Sequence, residues 1–128
     1  MITFRDVEGD LIAYLSARLG VPVVDRVPSP RPARFVTVRR TGGPKRSPTV
    51  DAPLIDLEAW GARPADAQRL GGQMRDAVLE LPAAEDFPSH VYRAREVGGL
   101  AYLPDPVTDQ HRYVTKTEIH VRGVITKE

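Results

Sequence analysis

The sequence predicts an α+β domain: a mostly antiparallel sheet of four to five strands, two helices packed on one of its faces, and a long projecting β-hairpin loop. Three observations predict it. Two segments repeat apolar residues at helical spacing, several others alternate them with period two, and the order is helix, short strand, two strands, helix, two strands. That order lets each helix lay its apolar stripe on the one apolar face that each strand offers. With 128 residues, 41% of them hydrophobic and 27% charged, the chain fits a single domain over residues 1–128 with one core.

The first helix is predicted over residues 6–19, where Val7, Leu11, Tyr14, Leu15 and Leu19 share a face. Asp6 suits the N-cap, Glu8 and Asp10 place negative charge where the helix dipole favours it, and Gly20 supplies the left-handed stop. Gly9 weakens the helix slightly. A short strand over residues 21–25 belongs at an edge, because Pro22 has no N–H for a ladder bond. Pro28, Pro30 and Pro32 then stiffen an extended connection.

Residues 34–41 form a strand, with Val36 and Val38 on one side and Phe35, Thr37 and Arg39 on the other. Residues 51–60 form the next, with Ile55, Leu57 and Ala59 opposed to Leu54, Asp56, Glu58 and Trp60. Between them, residues 42–50 are rich in Gly and Pro, basic through Lys45 and Arg46, and too long for a tight turn. This segment is expected to project as a hairpin arm. The second helix spans residues 64–81, with Pro64 in the first turn, Pro82 as terminator, and Ala67, Leu70, Met74, Ala77, Val78 and Leu81 as its stripe. Two final strands, residues 90–97 and 112–122, flank a loop at 98–106.

On the sheet face away from the helices, Arg39, Asp56, Glu58, Lys116, Glu118 and Arg122 mix signs, as expected of a solvated face with cross-strand pairs; this outweighs a functional groove. Asp56 and Glu58 point the same way, yet Ala59 and Trp60 follow where a two-metal nuclease site wants a lysine and more acids. His90, His111 and His120 lack ligand spacing, and no serine sits in a Gly-x-Ser-x-Gly elbow. Gly42-Gly-Pro-Lys-Arg-Ser lacks the ending of a phosphate loop, and Pro44 removes an N–H. Eighteen basic against 17 acidic residues give a net charge of +1, without the excess that phosphate neutralisation needs. The absence of cysteine excludes disulfides and thiolate chemistry. No apolar run approaches the ~20 residues of a membrane span, and the start of the chain lacks the apolar stretch of a signal peptide, so a cytoplasmic protein is expected.

Phe4-Arg-Asp-Val-Glu opening a helix, followed by Arg34-Phe-Val-Thr-Val-Arg-Arg-Thr-Gly-Gly, is similar to tail terminator proteins of long-tailed bacteriophages of actinobacteria. The likeness continues through Asp51-Ala-Pro-Leu-Ile-Asp-Leu-Glu-Ala-Trp-Gly, the alanine-rich helix, Leu103-Pro-Asp-Pro and Arg112-Tyr-Val-Thr-Lys-Thr, so it spans essentially the whole chain. The resemblance implies a homo-hexameric ring that caps the head-proximal end of the tail tube, stops its polymerisation and offers a surface for joining the head. The implied partners are other copies of the chain, the tail tube protein and a head-completion protein. Genomic DNA would pass through the lumen without sequence-specific binding, and the protein would sit in the virion tail after assembly in the host cytoplasm. No catalysis, cofactor, metal or membrane is implied. Subunit and tube contacts are expected on the arm and its base, at Arg39, Arg40, Gly42, Gly43, Lys45 and Arg46. The alternatives are a head-closure or tail-completion protein, a small nucleic-acid-binding α+β module using its sheet face, and an enzyme of unknown type.

Overall fold

In the computed structural model, which describes residues 1–126, the order is β1 (Ile2–Thr3), α1 (Val7–Leu19), β2 (Val23–Val24), β3 (Phe35–Gly42), β4 (Val50–Asp51), β5 (Leu54–Gly61), α2 (Pro64–Leu79), β6 (Val91–Tyr102), β7 (His111–Arg122) and β8 (Val124–Ile125). A 3-10 turn, Leu81–Ala83, follows α2. The class is α+β, as predicted.

Local chemistry sets the helix ends. Asp6 accepts from the Gly9 N–H at 3.1 Å, and Gly20 closes α1 with φ 65°. Pro64 opens α2, which ends two residues before the predicted limit. Pro82 cannot sit in a helix interior without clashing with the carbonyl of residue 78, so the chain tightens into the 3-10 turn.

The main sheet runs β2-β3-β5-β7, with β6 on the far side of β7. Only β2 and β3 are parallel; the proline-rich segment carries the chain back to the start of β3. β4 and β5 both pair with β7 in one unbroken register, Asp51 opposite Val121 and Leu54 opposite Glu118. They are one strand interrupted where Pro53 lacks an N–H, and the Pro53 carbonyl still accepts from Ile119 at 3.1 Å. The predicted strand at residues 51–60 is therefore present as this pair.

Two expectations are corrected. Residues 42–50 are not a projecting hairpin arm. Arg46 and Ser47 donate to the Val50 carbonyl at 2.9 and 3.1 Å, Gly123 donates to Thr49 at 2.8 Å, and Val50 pairs with Arg122, which ties the segment down along the end of β7. Thr49 and Val50 are thus paired with Gly123 and Arg122 from the far end of the chain, a pairing no local pattern reveals. The loop expected at 98–106 is instead partly strand. β6 continues to Tyr102 through an irregularity between Val97 and Ala101, where Gly98 and Gly99 adopt φ 90° and 81°. Such residues are typical of a bulge, which bends a strand without ending it.

Val7, Leu11, Tyr14 and Leu15 of α1 and Leu70, Met74, Ala77 and Val78 of α2 pack on Val36, Val38, Ile55, Leu57, Ala59, Ile119 and Val121. Both helices thus cover the same sheet face. The Tyr14 hydroxyl crosses between them to donate to the Ala77 carbonyl at 2.7 Å. At the chain ends β1 pairs with β8, a two-stranded ribbon absent from the sequence reading. No helix among the described residues is long and apolar enough to cross a membrane.

Candidate functional site

The sheet face turned away from the helices is built from alternate residues of β3, β5, β7 and β6, and their registers make charged rows across it. In one row Glu58 accepts from the Thr37 hydroxyl at 2.7 Å and from Arg112 at 2.9 Å. In the next, Asp56 lies 3.3 Å from Lys116, and in a third Glu118 accepts from His120 at 2.9 Å with Arg95 at 3.7 Å. Asp56 and Glu58 are thus held by cations. The described residues contain no group of three or more metal-ligating side chains.

One end of this face is not solvated. Phe35 and Trp60 are buried, their rings stacked at 5.3 Å and 8°, and the Trp60 indole N–H donates to Thr37 at 3.2 Å. The guanidinium groups of Arg112 and Arg31 lie 5.2 and 5.7 Å from the indole. Arg31 also hydrogen-bonds Gln110 and lies 3.7 Å from Asp105, joining the proline-rich segment to the β6–β7 loop. The remainder of the face holds a shallow groove of about 320 Å³ lined by Asp56, Glu58, Val97, Ala101, Leu103 and Lys116.

The six predicted contact residues divide between structural and exposed roles. Arg40 is committed to an ion pair with the buried Asp51 at 2.8 Å, and its backbone N–H donates to Glu8. Arg39 donates to the Asp25 carbonyl at 3.3 Å. Gly42 and Gly43, at φ 144° and 95°, turn the chain out of β3. Lys45 lies over the Phe4 ring at 5.1 Å, and Arg46 borders a small groove beside Glu118; both remain exposed. The structure therefore gathers only Lys45 and Arg46 at one exposed surface.

The most open feature was not anticipated. β6 is a twelve-residue edge strand, and Tyr92, Val97, Tyr102 and Leu103 on it and just beyond it are exposed, as is Val107 in the following loop. The sequence carried one signal for it, a glycine pair inside an otherwise alternating run, which marks a bulge as readily as a turn.

Three carboxylates are held low by named partners. The His120 hydrogen bond, then Arg95, hold Glu118 below its ordinary value of 4.5; the Val107 N–H and the Thr108 hydroxyl hold Asp105 below 3.8; and Arg18 does the same for Asp86. A carboxyl depressed by folding binds fewer protons folded than unfolded, so its contribution is present above the unfolded value and lost as pH falls through the folded one. The urea midpoint is therefore expected to be flat from pH 7 to about 5 and to fall below about pH 4. A midpoint unchanged at pH 3 would contradict these assignments.

In comparison with known proteins, no family model matches the chain, and no curated protein does.

Proposed function

We propose that the chain is a structural assembly subunit: a tail terminator of a long-tailed bacteriophage, forming a hexameric ring that caps the head-proximal end of the tail tube. The observation that carries the assembly role is the β6 edge. Twelve residues of strand offer unpaired backbone groups along one side, with exposed Tyr92, Val97, Tyr102 and Leu103 beside them. A lone subunit with such an edge invites pairing with another chain, and a ring removes the liability by closing on itself.

The terminator reading is supported by the resemblance of the segments around Phe4, Phe35, Asp51 and Arg112, which carry β3, β5, β7 and the opening of α1. In this role the ring halts tube polymerisation, presents its other side to a head-completion protein, and lets genomic DNA pass through the lumen without sequence readout. No catalytic group is required.

Light scattering of the purified 14.1 kDa chain, alone and with tail tube protein, tests the reading. A mass of six subunits is expected, either alone or on tube binding. The double substitution Val97→Lys and Leu103→Lys should lower the assembled fraction by roughly tenfold, since it buries charge in the contact. A strict monomer at every concentration, indifferent to the tube, would sink the terminator proposal.

A further inference from the structure

Two clusters of like charge lie on opposite faces of the sheet. On the open face, at the end where β7 meets β4, stand Lys45, Arg46, Arg93 and Arg122, all exposed. Among the described residues none of the four has an acidic group within ion-pair distance. Glu118, which lines the same small groove as Lys45 and Arg46, already serves His120 and Arg95.

The opposite corner lies in the helix layer, where the last turns of α1 and α2 meet. Asp76, Glu80 and Glu85 are exposed there, and a cleft of about 340 Å³ with Tyr14, Ala83 and Ala84 in its lining is rimmed by Glu80, Glu85 and Arg18. Arg18 is taken by Asp86 at 2.8 Å through two hydrogen bonds. A second observation makes this corner want a cation. The last turn of α2 has no basic residue, although a helix C-terminus carries partial negative charge. Asp76 and Glu80 therefore add to the dipole's charge when they would ordinarily be offset by lysine or arginine.

We propose that the two corners are the two halves of one contact: the Lys45, Arg46, Arg93 and Arg122 corner of one copy docks on the Asp76, Glu80 and Glu85 corner of the next. The occupant of each is thus a second copy of this chain. Unlike patches on opposite sides of a subunit make a head-to-tail contact, which propagates around a ring instead of stopping at a dimer. The inference rests on the ring reading and adds to it the direction and chemistry of the contact. Arg18 covers the Tyr14 ring at 3.7 Å, so an arginine from the basic corner would lay its stem on Ala83 and Ala84 and bring its guanidinium to Glu80 and Glu85.

Charge reversal in the full chain, followed by light scattering, tests it. Arg46→Glu with Arg93→Glu, and separately Glu80→Lys with Glu85→Lys, should each reduce a wild-type ring to single subunits. Mixed together, the two variants should rebuild an even-membered ring in which they alternate, because the reversed basic corner of one meets the reversed acidic corner of the other and their native corners remain complementary. A chain carrying all four substitutions should regain the ring, since its charges are exchanged but still complementary. Every altered side chain is exposed, and the milder Glu80→Gln with Glu85→Gln gives a weakened ring whose mass depends less on salt if reversal disturbs folding. A wild-type ring that survives both reversals overturns this contact while leaving the terminator reading intact; a wild type that never forms a ring overturns both. If the Arg46 and Arg93 reversal instead keeps the ring and abolishes binding of a short DNA duplex, the basic corner is a phosphate-binding surface and the proposal is wrong.

Discussion

Replacing Trp60 with alanine is expected to destabilise the protein by roughly 3–5 kcal/mol. Trp60 is 2% exposed although it lies on the sheet face away from the helices. Its ring covers Phe35, itself fully buried, and its indole N–H fixes the Thr37 hydroxyl that donates to Glu58. Truncation opens a cavity above Phe35, and it removes the ring that Arg31 and Arg112 approach. A small domain has only about 5–15 kcal/mol in total, so the urea midpoint should fall steeply. Trp60 is the one tryptophan, so the transition must be followed by circular dichroism. Trp60→Phe keeps most of the stacking and loses the hydrogen bond, at a cost nearer 1 kcal/mol. A loss below about 1 kcal/mol for the alanine variant would mean that the aromatic layer is not a second core, against the burial argument.

Gly43→Val is expected to prevent normal folding or to shift the midpoint as far as Trp60→Ala does. Gly43 has φ 95°, a conformation that costs a β-branched residue about 1–3 kcal/mol by itself. A Cβ there would also press into the Ala52 carbonyl oxygen and stand 2.7 Å from the Leu54 N. Those are backbone atoms of the strand that β7 holds on its other side, so they cannot yield by a rotamer change. Gly42→Ala is the control: φ is also positive, but nothing lies within 4 Å of a Cβ, so only the conformational cost applies. Thermal unfolding of the two variants separates the effects. Equal midpoints would remove the steric part of the argument. These glycines turn the chain out of β3, and Gly43 lies against Ala52.

The proposed assembly surfaces are less legible in the sequence than the fold. Lys45 and Arg46 were visible because a run of Gly, Pro and basic residues is conspicuous in any sequence. Arg93 and Arg122 lie far from them in the chain and join them only because β6 and β4 pair with the same end of β7. The acidic corner arises in the same way, from α2 ending against α1. Arg40 pairs with Asp51, a partner that only the fold brings beneath it.

By itself the sequence determined the α+β class, both helices with the Asp6 cap and the Gly20 stop, and the inward faces of β3 and β5. These depend on residues within a few positions of one another, where periodicity and capping chemistry act directly. Tertiary structure alone decided that residues 42–50 lie along β7, that β6 continues through Gly98 and Gly99, that β1 and β8 meet, and that Phe35 and Trp60 are buried on the second face. Each of those depends on a partner supplied from elsewhere in the chain. Backbone groups and aromatic rings accept whichever distant partner the fold brings to them, and a local pattern does not name it.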